Sequence, residues 1–346
     1  MTHEQFEQLL ANPGFLSREH CSETVHPEVA ETHISYVLLT KCYAYKIKKT
    51  VRLAFLDFST LPSRQYYCEQ ELQLNRRFAP NMYLDVLPIR QYDEQLYIGE
   101  GEGETVDYAL KMKRMDNRRE MDRMLISGEV EDYHILNLAQ RIADVHGAAP
   151  PARPPLTLAG WQLLFNPLGE LADYVDRTLG RSHGDTVRQA VKASDQFVRK
   201  HLPLMQQRST RGLVRDVHGD LHSKNIFLTD PPTLFDCIEF EPAYRQIDLL
   251  SEVAFLCMDL AAYGAESLSE LFYQEYLADV EANGVSGVRH DALFTFFKLY
   301  RANVRAKVLL LQAKEADVPT ELLTEAKTYL ALMKRYLNEL PVIETP

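Results

Sequence analysis

In the first third of the chain, apolar and polar positions alternate with period two. Ile34, Tyr36 and Leu38 alternate, and after a turn near Lys41 so do Tyr43, Tyr45 and Ile47. Residues 32–49 therefore read as an antiparallel hairpin, rich in β-branched and aromatic side chains. Residues 82–98 resume strand character, 99–103 form an acidic turn, and 108–115 are a further strand candidate. Two helices interrupt this region. Residues 4–10 are stopped by Asn12-Pro13-Gly14; residues 63–78 follow Leu61-Pro62, carry Glu69 and Glu71, and end before Pro80.

After about residue 115 the period becomes helical, over 133–146, 185–201, 247–263, 267–283, 290–314 and 320–337. A rigid loop with four prolines in seven residues fills 149–155. Short apolar runs at 213–217, 226–228 and 234–240 read as strands. The pattern predicts an α+β protein of two lobes. A β-rich N-lobe spans 1–113 and a mainly helical C-lobe spans 114–346.

Composition narrows the function more than the fold. The net charge of −11 argues against non-specific nucleic-acid binding, which needs basic surface to displace counterions. The five cysteines are scattered with no C-x-x-C pair, so neither a zinc ribbon nor a disulfide framework is expected, and reduced thiols are the simplest reading. Met1-Thr2-His3-Glu4 lacks the basic and apolar regions of a secretory signal, and no apolar run approaches the roughly 18 residues of a membrane helix. A cytoplasmic protein with neither nucleic-acid nor membrane partner is expected.

The chemistry concentrates in His218-x-Asp220-x-His222-x-x-Asn225, set between the runs 213–217 and 226–228, and in Asp236 within Leu234-Phe235-Asp236-Cys237-Ile238. A carboxylate inside an apolar strand is costly unless it is paired or holds a metal. Phosphoryl transfer needs a carboxylate to orient an acceptor hydroxyl and take its proton, and oxygen ligands for Mg²⁺ on the ATP phosphates. The spacing gives the first task to Asp220 and the second to Asn225 and Asp236, with Glu239 and Glu241 as rivals of Asp236. The plain alternatives are a turn carboxylate beside Gly219, a turn asparagine and an ion-paired aspartate.

These residues resemble the aminoglycoside phosphotransferase-like family, which also includes choline and homoserine kinases. The likeness to one bacterial branch extends through Glu31-Thr32-His33-Ile34-Ser35, Tyr45-Lys46-Ile47-Lys48-Lys49, Phe55-Leu56-Asp57-Phe58, Glu71-Leu72, Arg245-Gln246-Ile247-Asp248-Leu249 and Met258-Asp259-Leu260. Some members of that branch carry a further P-loop kinase domain; no G-x-x-x-x-G-K-[ST] occurs here, so that domain is not expected.

The resemblance implies a bilobal protein-kinase-like fold, ATP and Mg²⁺ as cofactors, and a small-molecule hydroxyl as acceptor. It also implies a nucleotide-binding lysine on the hairpin, paired with a helical glutamate. Lys46 and Glu71 fit best; Lys48 shares the strand face of Lys46, Lys49 lies opposite, and Glu69 is the alternative acid. His222 stands where protein kinases often place a lysine that contacts the transferred phosphate. Pro27-Glu28-Val29-Ala30-Glu31 has no glycine, a departure that leaves Ser35 as the candidate hydrogen-bond donor to the phosphate. Backbone groups near Met112 are expected to read the adenine. Asp248 is expected to brace the catalytic loop or to cap a helix. Trp161, Asp259 and Tyr263 are candidates for the acceptor pocket, Trp161 reading better as packing.

Two other functions fit parts of the sequence. His218-x-Asp220-x-His222 could ligate a metal for hydrolysis, although Asn225 and Asp236 then have no task. A pseudokinase that binds nucleotide and regulates a partner would retain the same polar residues. Nothing resembles the D-F-G…A-P-E segment of protein kinases.

Overall fold

The computed structural model describes residues 1–12, 14–16, 27–53, 56–316 and 318–341; Pro13, Cys21 and Phe55 of the sequence patterns lie outside them. The chain divides into two units, Met1–Arg119 with Thr233–Pro242, and Glu120–Pro232 with Ala243–Pro346. The first unit thus takes up the later segment that carries Asp236, which a contiguous split at 113 does not include.

In the first unit, helix α1 (His3–Ala11) opens with a capping box between Thr2 and Gln5. Strands β1 (Glu28–Glu31), β2 (Ser35–Leu39) and β3 (Tyr43–Lys48) precede helix α2 (Leu61–Asn75). Strands β4 (Tyr83–Tyr92), β5 (Gln95–Ile98) and β6 (Glu104–Lys113) follow. They form one antiparallel sheet in the order β1-β2-β3-β6-β4-β5. The period-two reading holds: Tyr36, Leu38, Tyr45 and Ile47 are buried with Phe6, Leu9 and Ile89. The other face of β3 presents Ala44, Lys46 and Lys48.

Helix α2 starts earlier than the sequence suggests because Thr60 caps it, accepting from the Ser63 N–H, with Pro62 in the first turn. Its buried stripe is Arg64, Cys68, Glu71 and Asn75. That stripe has helical spacing but is mostly polar, so hydrophobic periodicity does not reveal it.

The predicted strand at 234–240 is corrected. Only Thr233–Leu234 is extended, and Asp236 adopts a left-handed φ of 61°, which no strand ladder accommodates. Side chains take over the backbone bonding there. The Asp236 N–H donates to the Tyr83 hydroxyl (3.0 Å) and the Cys237 N–H to Asn75 Oδ1 (2.8 Å).

The second unit is helical: α3 (Met121–Ser127), α4 (Asp132–Ala148), α5 (Leu158–Phe165), α6 (Ala172–Leu179) and α7 (Arg181–Thr210), with the short ones α3, α5 and α6 unforeseen. Strands β7 (Val214–Asp216) and β8 (Gln246–Asp248) pair antiparallel. Then come α8 (Leu249–Ala262), α9 (Glu266–Ala282), α10 (Asp291–Glu315) and α11 (Thr320–Glu339). Every residue of α8 from Leu249 to Leu260 is buried. A helix hydrophobic all round belongs in a core, so its two acids, Glu252 and Asp259, must find partners. Phe255 and Met258 of α8 pack with Tyr300 of α10 and Leu330 and Met333 of α11. Among the described residues no helix is long and apolar enough to cross a membrane.

Candidate active site

Each unit holds one cluster of predicted site residues. In the first unit, Lys46 Nζ donates to Glu71 Oε1 at 2.8 Å and to Asp236 Oδ1 at 2.6 Å. Lys48 Nζ donates to Glu71 Oε2 at 2.7 Å and to Glu239 Oε1 at 2.7 Å. Lys49 instead meets Glu31 and the Thr32 carbonyl. Exposure separates the two rival lysines: the Lys46 side chain is 14% exposed and that of Lys48 is 1%.

The electrostatics follow from this packing. Burial alone would lower the Lys46 ammonium, but Asp236, Glu71 and Glu239 hold it well above the ordinary lysine value. Burial would raise Glu71, yet Lys46 and Lys48 bring its carboxyl down to about 2. For Glu239, burial wins and its carboxyl is raised. Asp236 is the open end of the cluster, with a side chain 45% exposed.

Ser35 and Met112 are placed differently from their expected tasks. Ser35 faces Lys48 across β2 and β3, and its hydroxyl is fully buried without a partner. Met112 is buried within β6, in register with Ala44 and Tyr83. The N–H groups of Lys113 and Arg114 already donate to the Met82 and Cys42 carbonyls. The backbone near Met112 is thus occupied by the sheet.

In the second unit, Asp220, His222 and Asn225 lie together. His222 Nε2 is 3.3 Å from Asp220 Oδ2. Asn225 Nδ2 donates to the carbonyl of Asp220 at 3.0 Å and to its Oδ2 at 3.1 Å. The amide oxygen of Asn225 is thereby left for another ligand. His222 and Asn225 are buried, whereas the Asp220 side chain is 36% exposed. Burial pushes Asp220 up, but His222, Arg305 and His218 together hold it well below the usual aspartate value.

The loop is held by buried ions on helices. The N–H groups of His218 and Gly219 donate to Glu252 Oε1 (3.0 Å) and Oε2 (2.7 Å). Arg301 Nη1 donates to the Gly219 carbonyl at 3.1 Å, and its Nε to the Ser251 carbonyl at 3.2 Å. The N–H and hydroxyl of Ser223 donate to Asp259 Oδ2 at 2.8 and 2.6 Å, and the Tyr329 hydroxyl donates to Asp259 Oδ1 at 3.3 Å. Gly219 has φ 86°, and a Cβ there would lie 2.8 Å from the Tyr244 carbonyl oxygen, so only glycine fits.

Asp248 and Trp161 take the second of their expected roles, a helix cap and packing. Asp248 caps α8 through the Leu250 N–H and pairs with Arg208 through both oxygens; Glu252 braces the loop instead. Asp259 is engaged by Ser223 and Tyr329, and Trp161 packs against Phe296, Phe297 and Tyr300. His218, Asp220 and His222 do not converge as metal ligands: among the described residues no group of three or more His, Cys, Asp or Glu could hold an ion. Sequence reasoning missed Glu252 and Arg301. The available signal for Glu252 was that it is one of two acids, with Asp259, inside the mostly apolar run 249–260.

No family profile matches the chain. Uncharacterized proteins of Mycobacterium bovis and Mycobacterium tuberculosis are 28% identical over 320 residues, 91% of this chain and 60% of their own length. The chain thus spans about three-fifths of these curated relatives. Among solved structures, an ethanolamine kinase of Plasmodium vivax aligns over 96% of this chain and 87% of its own, with 10% identity and TM-score 0.54. A glucosamine kinase in complex with glucosamine, ADP and inorganic phosphate aligns over 96% and 85%, with 13% identity and TM-score 0.53. The chain has a protein-kinase-like fold. An amicoumacin kinase bound to AMP-PNP and Ca²⁺ shares this kinase-like fold at 11% identity and TM-score 0.53, over 91% of this chain and 89% of that one. The agreement is consistent with the aminoglycoside phosphotransferase-like resemblance seen in the motifs.

Proposed function

We propose that this chain is an ATP- and Mg²⁺-dependent phosphotransferase that phosphorylates a hydroxyl of a small molecule. The observation that carries the reading is Lys46 bridging Glu71 and the half-exposed Asp236. A fixed ammonium beside a solvent-accessible carboxylate is what nucleotide phosphates and their metal require.

The donor chemistry in each unit suits the implied metal: the Asn225 amide oxygen of the second unit and the Asp236 carboxylate of the first are each hard oxygen ligands of the kind Mg²⁺ takes. When bound, the metal neutralises charge on the phosphate oxygens. Lys46 binds phosphate, and Glu71 keeps its ammonium in place. Asp220, ionised and partly exposed, accepts the hydrogen bond of the acceptor hydroxyl and takes its proton at a carboxylate oxygen. Its low proton affinity suits a loose transition state, in which orienting the hydroxyl matters more than removing its proton early. His222 and Asn225 fix the carboxylate's rotation. The adenine contact at Met112 and the phosphate contact at Ser35 are not supported by their burial. A cytoplasmic setting belongs to the same proposal, since ATP is available there.

The test is a thermal-shift titration with Mg²⁺ and AMP-PNP, since a ligand of the native state raises the melting temperature. ATP-turnover assays on amino sugars, amino alcohols and other small hydroxyl compounds follow. Stabilisation with turnover of one acceptor supports the kinase. Stabilisation with no turnover across the panel favours the pseudokinase, and no stabilisation rejects both.

A further inference from the structure

In the first unit five charged groups alternate along one line: Asp236, Lys46, Glu71, Lys48 and Glu239. The successive contacts are 2.6, 2.8, 2.7 and 2.7 Å. Accessibility falls from Asp236 at the outer end to Lys48 and Glu239, which are buried. Lys48 Nζ also lies 4.7 Å from the centre of the Phe58 ring.

The central acid uses both oxygens, Oε1 for Lys46 and Oε2 for Lys48. A carboxylate held by one lysine alone can turn about its last bond and follow that lysine. One held from both sides cannot. A buried ion pair of this kind rarely adds stability over a well-packed apolar substitute, because desolvation offsets the attraction. A task in orientation accounts better for two interior charges behind the phosphate-binding lysine.

We propose that Lys48 and Glu239 are positioning residues that clamp Glu71 from the interior. The clamp keeps Lys46 directed at phosphate whether or not Asp236 is paired with it. Neither residue touches phosphate itself. The inference rests on Lys46 being the nucleotide-binding lysine of the proposed kinase.

Binding of Mg²⁺·AMP-PNP to the full chain tests it, using wild type, K46M, K48M, E239Q and the double variant K48M/E239Q. Circular dichroism and melting curves identify the folded variants. K48M and E239Q are expected to weaken nucleotide binding about 10- to 100-fold, the range seen when groups that hold a ligating side chain are removed. K48R is expected to recover most of the loss. The double variant removes both interior charges together and covers the case in which K48M alone does not fold. It should bind no more weakly than K48M, since the two charges act as one unit. In turnover assays the loss should fall on the KM for ATP more than on kcat. If wild type and K48M/E239Q bind equally well while K46M does not, the clamp is refuted and the kinase reading stands. If wild type binds no nucleotide, both fall.

Discussion

Arg301 on α10 and Glu252 on α8 hold the two peptide groups that flank the Gly219 α-carbon, one each. Arg301 donates to the Gly219 carbonyl at 3.1 Å, and Glu252 accepts from the Gly219 N–H at 2.7 Å. The residue before Asp220 is therefore fixed by two buried ions of opposite sign, and Asp220 inherits that fixed position.

The first prediction concerns Glu252. E252A removes the carboxylate that accepts from the N–H groups of His218 and Gly219 and one of the partners of His146. The expected loss of stability is about 3–5 kcal/mol, the range for breaking a buried pair from one side. Urea denaturation measures it; a loss below about 1 kcal/mol would show that the bonds are replaced by water. R301M should cost less stability but lower kcat.

Asp220 is expected to behave differently. D220N keeps the size and the contact with Asn225 but removes the charge that holds the hydroxyl and receives its proton. Turnover should fall by about 10²- to 10⁴-fold, the contribution typical of a positioned acid or base. Nucleotide binding by calorimetry should be unchanged. Full turnover by D220N would remove Asp220 from the mechanism.

Stability should depend on acid in a defined window. Glu71 titrates near 2 in the folded protein, and Glu252 and Asp220 are also lowered. Unfolded carboxylates titrate near ~4. A depressed carboxylate adds stability that is complete above its unfolded value and is lost as pH falls through its folded one. Unfolding free energy should therefore decline below about pH 4.5 and keep falling toward pH 2. Glu239 opposes this in part, because its raised carboxyl makes protonation favourable to the fold. Denaturation at several pH values, compared with E71Q, tests the assignment. E71Q should be less stable at neutral pH and show a flatter acid limb; parallel curves would exclude Glu71 as a source.

Gly219 offers a steric test. G219A places a methyl group against the Tyr244 carbonyl in a left-handed conformation. A cost of about 1–3 kcal/mol follows from such strain, readable as a lower melting temperature with lowered kcat. An unchanged protein would mean that the loop can relax.

Much of the fold was legible because burial follows periodicity. Tyr36, Leu38, Tyr45 and Ile47 announced the hairpin, and the long helices after residue 115 followed from their apolar stripes. The pairing of Lys46 with Glu71 came from the family resemblance rather than from the residue pattern, and the two meet at 2.8 Å. Asp236 was legible as a chemical group but not as a backbone. Its apolar neighbours resemble a strand, whereas Tyr83 and Asn75 draw its peptide groups into a turn. Glu252 showed only as an acid in a mostly apolar run, and the partners that give it and Arg301 their value lie far along the chain, which no local pattern encodes. Lys48 stood as a rival of Lys46 when the two share one acid.

Helix α8 also acts as a ruler. Glu252 and Asp259 lie two turns apart on one face, about 10 Å along the axis at 1.5 Å per residue. One marks where the loop enters, at His218 and Gly219; the other marks Ser223, just before Asn225. A single residue inserted between these marks would turn one anchor by roughly 100° away from the loop. The length of α8 between the two acids is thus as much a part of the loop's geometry as the acids themselves.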